Sequence, residues 1–412
     1  MDRASLKERT AQGLCPYDPA GAGGPRPPSV WRKDMSINIA LVGLGFGAEF
    51  APIYLHHPDV GVVTICDANE EKLNAHGDKY GVADRCRSLE AILARADIDA
   101  VHLISPIPLH AEQTVAVLNS GKHCACTVPM ATSLDDLRAI VAAQQASGKN
   151  YMMMETAVYC REFLFGQELV EAGELGKIQF LRGAHYQDME AWPPYWLGLP
   201  PMWYATHAVG PLLRLAGTRA ERVHCFGSGT MREELTRQYG NPFPTESAIF
   251  KLADSDLAAE VTRTLFHVGR QYQESFNVYA ENGVFEWGQS AADQPMICRM
   301  TPVAEAVARS GARRLTTERV EPPDYAHRLP EPIQRFTKRG VYDPSNPHLS
   351  FEQGGGHGGS HPHLVHEFVS SIVEGRPPSI DAITAADWTA AGICAHESAM
   401  RGGEAVEVPE FG

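Results

Sequence analysis

The sequence predicts an α/β part built on a doubly wound parallel sheet, followed by an α+β part built on an antiparallel sheet. Three observations carry this expectation. From Ile37 to about Glu155, short continuous apolar runs alternate with helically spaced segments, the pattern of a parallel sheet covered on both faces. Beyond Glu155 the runs alternate polar with apolar residues and are broken by Gly, Asn and Asp; Glu281-Asn282-Gly283 carries the Asn-Gly hairpin signal. The 412 residues, 44% apolar and 21% charged, hold enough material for two packed cores and exclude a disordered chain.

In order, strands are expected at 37–42, 62–66, 100–104, 123–127 and 151–154, with helices at 69–80, 109–119 and 133–146 between them. A helix at 162–171 leads to a strand at 178–186, an aromatic loop and a helix after Thr206. Strands follow at 247–252, 258–266, 274–280 and 283–287. The Pro- and charge-rich 321–346 reads as a surface excursion, and helices at 363–374 and 382–401 close the chain. The expected division is a flexible tail at 1–35, a dinucleotide-binding domain at 36–156 and a substrate-binding and oligomerisation domain at 157–412, with no internal repeat.

Thirty-six Lys and Arg stand against 50 Asp and Glu, a formal charge of −14. That balance argues against nucleic acid or an anionic membrane as partner, since both need clustered positive charge. No window holds the roughly 18 apolar residues of a membrane span. The nine Cys are scattered without a disulfide framework, and 1–34 carries charges and a Gly/Pro-rich run but no apolar stretch of the signal-peptide kind. A cytoplasmic protein with free thiols is expected.

The first strand runs into Gly43-x-Gly45-x-x-Ala48, with Phe46 and Gly47 inside the motif. The first Gly allows a tight turn, the second lets backbone approach a pyrophosphate, and the small third residue lets helix and strand pack. Free N–H groups at the following helix start suit phosphate. Asp67 ends the second strand 24 residues after Gly43. A carboxylate there accepts hydrogen bonds from the ribose hydroxyls and repels a 2′-phosphate, so the cofactor read from the sequence is NAD rather than NADP. The carboxyl ends of the later strands, where such ligands sit, carry Ser105-Pro106, His110, Thr127 and Pro129.

Glu155 and Tyr159 follow the last parallel strand. Tyr204 and His207, three apart at a helix start, share one face and are the leading proton-transfer pair. Trp192, Trp196 and Trp203 cluster just before them, and aromatic faces suit the C–H faces of a sugar ring as well as they suit loop packing. The histidines at 357, 361, 363 and 366 are broken by Pro362 and lack an acidic or Cys partner at diagnostic spacing, so no metal site is expected. The Gly354–Gly359 run lets backbone pass close to a ligand.

These residues carry a resemblance. The dinucleotide motif, the Ser105-Pro106…His110 segment and the Pro129 turn resemble the glucose–fructose oxidoreductase/inositol dehydrogenase (Gfo/Idh/MocA) family. The resemblance implies a Rossmann domain joined to an open-faced antiparallel sheet used for substrate binding and for assembly into a homodimer or homotetramer. Dehydrogenases of that family carry Glu-Lys-Pro where this chain has Thr127-Val128-Pro129, so the family's Lys is missing. Asn150–Glu155 with Tyr159, Tyr204-Ala-Thr-His207-Ala-Val-Gly-Pro211 and Gly355-Gly356-His357-Gly358-Gly359 resemble more narrowly the NAD-dependent glycosidases of glycoside hydrolase family 109. The chain departs from that group in having His185 where it has Tyr, with Tyr186 beside it, and Ser360-His361-Pro362-His363 after the Gly-rich run.

This narrower resemblance implies a glycoside substrate and hydrolysis by transient oxidation at C3, C2 deprotonation, elimination of the aglycone, water addition and re-reduction. The roles implied are His207 at the C3 hydroxyl, and Tyr204 near C2 with His185 or Tyr186 as rivals. Glu155 and His357 are implied to position hydroxyls or the leaving group. A sugar or polyol dehydrogenase is the alternative.

Overall fold

The computed structural model describes residues 36–269, 272–287, 294–305, 313–338 and 357–412, which pack as one compact unit. The expected tail at 1–35 lies outside the described residues. Six parallel strands form the first sheet: β1 (Ile37–Val42), β2 (Val60–Cys66), β3 (Arg85–Cys86), β4 (Ala100–Leu103), β5 (His123–Cys126) and β6 (Tyr151–Met153). Their order is β3-β2-β1-β4-β5-β6, doubly wound about β1. The linking helices are α1 (Ala51–His56), α2 (Glu70–Tyr80), α3 (Leu89–Leu93), α4 (His110–Asn119) and α5 (Leu134–Ser147). Asn69, Ser88 and Ser133 cap α2, α3 and α5 by accepting the backbone N–H of Lys72, Ala91 and Asp136. The first helix departs from expectation. Residues Phe46–Phe50 form a 3₁₀ turn before α1 begins, because Pro52 has no N–H to give the Ala48 carbonyl four residues back.

The second sheet has nine strands: β7 (Ile178–Tyr186), β8 (Ala220–Ser228), β9 (Thr245–Leu252), β10 (Ala258–Thr264), β11 (Gln273–Ala280), β12 (Gly283–Glu286), β13 (Met296–Met300), β14 (Leu315–Arg319) and β15 (Val406–Glu407). Their order is β14-β13-β12-β11-β7-β10-β9-β8-β15. All neighbours are antiparallel except β7 and β10, so the expected antiparallel sheet carries one parallel pair at its centre. The β11–β12 hairpin turns at Glu281-Asn282, as its sequence signal indicated.

One face of this sheet is covered by α6 (Arg161–Glu171), α7 (Thr206–Ala216) and the last helix, Ala382–Met400, whereas the helix before it, Ser360–Val373, packs on the parallel-sheet core. Gly183 on β7 decides how close α7 comes. A Cβ there would lie 2.5 Å from the Ala208 carbonyl oxygen, so any side chain would push the helix off the strand.

The reading of 321–346 as a surface excursion needs correcting for its described part. Leu329, Ile333 and Phe336 are buried in the core that covers the parallel sheet, packed with Leu364 and Phe368 of the closing helix. The Pro and charge content hid three apolar anchors. Residues 339–346 lie outside the described residues. All eight described cysteines are free thiols, and no described helix is long and apolar enough to cross a membrane.

Three buried histidines make the fold sensitive to acid. His57, His102 and His363 are each pushed down to about 3, by burial first and, for His57 and His363, by charged neighbours including His366. Below pH 6.5 the unfolded chain takes up protons that these folded imidazoles refuse. Their contribution is therefore complete above 6.5 and is lost as pH falls toward 3. At about 1.4 kcal/mol per pH unit for each, the three together amount to a slope on the order of 4 kcal/mol per unit. Urea midpoints measured at pH 7.5 and pH 5.0 at equal salt should fall steeply; equal midpoints would refute this.

Candidate active site

The carboxyl ends of the parallel strands form the first half of the site. Gly43 has φ +94°, and a Cβ there would lie 2.4 Å from the Ile104 carbonyl oxygen, so only glycine fits. Above Gly45 there is open space, while Gly47 packs tightly on the Ile104 side chain. Asp67 is fixed at the end of β2 by accepting the backbone N–H of Leu44 and of Asn69, each at 2.9 Å. Those two bonds leave lone pairs on both oxygens for ribose hydroxyls. Ser105 adds a buried hydroxyl with no partner among the described residues. The open glycine turn, the oriented carboxylate and the unpartnered hydroxyl together fit a dinucleotide.

His110 does something other than reach a ligand. Its Nδ1 meets the Pro129 carbonyl at 2.7 Å and its Nε2 the Ser105 carbonyl at 2.9 Å. Burial opposes its charge, but the Cys126 sulfur and the two carbonyls outweigh that and push it up to about 9, so it donates to both. It ties together the two loops that carry Ser105-Pro106 and Thr127-Pro129. Val128, at the position of the family's Lys, is buried in the core.

The second half of the site is a row of polar side chains across the nine-stranded sheet. His185 stands opposite Glu274 on β11 and opposite Arg263 on β10. All three occupy the covered face, and all are buried. Tyr186, one residue on, points to the other face, which removes it as a rival to Tyr204. The α7 helix, seated on Gly183, brings His207 down onto this row, its ring 5.0 Å from that of His185.

His207 is held from both sides. Its Nδ1 lies 2.5 Å from Glu155 Oε1 and 3.6 Å from Glu274 Oε1, and its Nε2 lies 3.3 Å from the Tyr204 hydroxyl. Burial opposes charge on His207, but the Glu155 and Glu274 carboxylates outweigh it and hold the imidazole above its ordinary value. Burial likewise pushes Glu155 up, yet His207 and the Ala157 N–H outweigh it and hold the carboxyl below its usual range. For Glu274 burial wins and pushes it up to about 7. Burial holds the Tyr204 phenol well above its ordinary value.

Arg263 is fully buried and has its donors spent on the frame of the site. Nε donates to the Tyr204 carbonyl at 2.8 Å, one terminal nitrogen to the His185 and Thr264 carbonyls, and the other to Gln187 Oε1 at 2.9 Å. It therefore pins the backbone of two site residues. His357 reaches the same place, 6.3 Å ring to ring from His207 and stacked on Tyr272, whose hydroxyl donates to Glu274.

Of the aromatic candidates, Trp196 packs edge-on against Tyr204 at 4.8 Å, and the exposed Trp192 packs on Trp196. Trp203 turns away onto Tyr239 and His396 and serves packing. Tyr159 is drawn off as well, its hydroxyl bonded to that of Ser379. Glu274, Tyr272 and Arg263 were missed by the sequence reading. For Arg263 a signal existed: it shares the inward parity of Val261 and Leu265, where a charge needs a reason.

Comparison with known proteins bears on the dinucleotide half of the site. Residues 37–155 match the GFO_IDH_MocA family model, described as an oxidoreductase family with an NAD-binding Rossmann fold. Residues 37–155 form an NAD-binding Rossmann unit of the Gfo/Idh/MocA type. Its cofactor is NAD. A protein of Saccharopolyspora erythraea named glycosyl hydrolase family 109 protein is 22% identical, across 91% of this chain and 83% of its own. Glycosyl hydrolase family 109 protein 1 of Bacteroides thetaiotaomicron is 23% identical across 91% and 85%. A levoglucosan dehydrogenase solved with NADH and levoglucosan superposes with a TM-score of 0.71 at 20% identity, covering 91% of this chain and 100% of that one. The last likeness speaks to the fold alone.

The Asp67 geometry gives a direct expectation. Asp67→Ser should weaken NAD by about 10- to 100-fold, the worth of a charged hydrogen bond, and narrow the preference over NADP. Fluorescence titration with both dinucleotides checks it; unchanged affinity for NAD would place the ribose elsewhere.

Proposed function

We propose that this chain is an NAD-dependent glycoside hydrolase that works by transient oxidation at C3, loss of the C2 proton, elimination of the aglycone, addition of water and re-reduction. The observation that carries the reading is the pairing of a buried Val128, where a dehydrogenase of this family has its Lys, with the Glu155–His207–Tyr204 group assembled from the loop after β6 and the start of α7. The family 109 names of the full-length relatives support it.

Asp67, the Gly43–Ala48 turn and Ser105 would hold the cofactor. When bound there, NAD would supply reversible hydride acceptance, so that none is consumed over a turnover. Glu155 fixes the His207 ring through Nδ1 and so aims Nε2 toward the Tyr204 hydroxyl, where it handles the proton of the C3 hydroxyl. The Tyr204 hydroxyl, within reach of that nitrogen, serves proton transfer around C2. Trp196 and Trp192 offer an apolar face beside Tyr204 for a sugar or its aglycone. A pair of carboxylates astride the scissile bond is not required by such a route.

The test is a panel of aryl and natural glycosides incubated with the full chain and NAD in D₂O. Aglycone release, deuterium at C2 and no net NADH are expected. Stoichiometric NADH without cleavage would overturn the reading in favour of a sugar dehydrogenase.

A further inference from the structure

His185, Glu274 and His207 present more than a proton relay. One ligand-type atom from each lies within 4.8 Å of the others. The sheet register explains why: His185 and Glu274 are a directly opposed cross-strand pair, and the close seat of α7 on Gly183 lowers His207 onto them.

The hydrogen bonding of this cluster is incomplete. Both ring nitrogens of the fully buried His185 meet no partner among the described residues, and neither does the second oxygen of Glu274. A buried polar atom left unpaired costs about 1–3 kcal/mol, so three of them in one place point to a missing occupant. His207 is prepared in the manner of a metal-bound imidazole. Its Nδ1 is taken by a buried carboxylate, Glu155, which fixes the ring, while Nε2 meets only the neutral Tyr204 hydroxyl at 3.3 Å, a contact that a cation can displace. Tyr272 supports Glu274 by donating to its other oxygen. Two imidazoles and one carboxylate with an open position form the donor set of catalytic Zn²⁺ and related ions.

We propose that His185, His207 and Glu274 bind a divalent transition-metal ion of the Zn²⁺ class, leaving an open position for a substrate oxygen. The proposal rests on the oxidation reading above for its use. There the ion binds the oxygen of the hydroxyl being oxidised and supplies the positive charge that Val128 does not. His207 then acts as a ligand and Glu155 as its positioning residue. Of the histidines at 357, 361, 363 and 366, His366 turns away to bond His57 at 3.0 Å, while the rings of His357 and His361 lie 5.3 Å apart.

The test uses the full chain with NAD, stripped with EDTA and titrated with Co²⁺, then with Zn²⁺. One equivalent of Co²⁺ is expected, with visible d–d bands that one equivalent of Zn²⁺ abolishes. His185→Gln and Glu274→Gln should each weaken binding by about 100-fold while NAD affinity, the control for folding, holds. His363→Gln should leave binding unchanged. No stoichiometric uptake at micromolar metal, or uptake that survives both site variants, overturns the site. If a variant does not fold, the wild-type stoichiometry and Co²⁺ spectrum decide. Full turnover of a glycoside by the metal-free chain overturns the ion and leaves the oxidation reading standing. One bound ion without turnover of any glycoside or sugar alcohol leaves the site standing and sinks that reading.

Discussion

Replacing His207 by Gln should slow hydride transfer by about 10²- to 10⁴-fold, with NAD affinity unchanged. The ring is the meeting point of the site: Glu155 behind it, Glu274 beside it and the Tyr204 hydroxyl in front. Gln keeps much of the volume but neither holds nor passes a proton, and it cannot satisfy Glu155 in the same way. Glu155→Gln should follow in the same direction with a smaller loss, because it removes only what orients the ring. Single-turnover absorbance of NADH with a reactive glycoside separates the two effects from product release. The signature that a merely structural role would not give is a fall in kcat with KM little changed. If His207→Gln retained more than a tenth of the wild-type rate, the centre of the chemistry would have to be sought elsewhere.

How far this site was legible in the sequence depends on where its residues come from. Gly43, Asp67, Ser105 and His110 sit just beyond apolar runs whose parallel order follows from chain order, so their common edge could be inferred. Tyr204 and His207 were legible as a pair because helical spacing puts them on one face. His185, Arg263 and Glu274 meet only through the register of β7 with β10 and β11, strands far apart in sequence. Nothing local specifies that β7 and β10 run parallel, so the assembly of the row had no sequence signature, although inward parity marked Arg263 by itself. Edge strands such as β14, Leu-Thr-Thr-Glu-Arg with every residue exposed, were missed for the opposite reason: with no buried face they show no alternation. The 329–336 anchors were lost among prolines and charges. Their burial is decided by the closing helix, which packs on them from beyond residue 357.

Arg263→Met should cost the fold about 3–5 kcal/mol and should also depress activity in whatever protein survives. The guanidinium is fully buried, and its low-dielectric seat pushes its pKa down to about 10, so it stays charged at neutral pH. Its charge is met by carbonyl oxygens of Tyr204, His185 and Thr264 and by the Gln187 amide oxygen, with the Tyr204 ring above it at 5.3 Å. Met can fill part of the volume, but it leaves those buried oxygens without donors, and each unpaired acceptor is penalised. Lys is not an adequate substitute either, since one ammonium cannot span oxygens that the planar fork reaches from two sides. Two measurements are needed because two functions are lost together. The urea midpoint reports the fold. The kcat of the folded fraction, measured at a temperature where the variant is native, reports the position of Tyr204 and His185. A variant with normal kcat but lowered midpoint would show that Arg263 only holds the sheet together. A variant with a normal midpoint would contradict the burial argument itself.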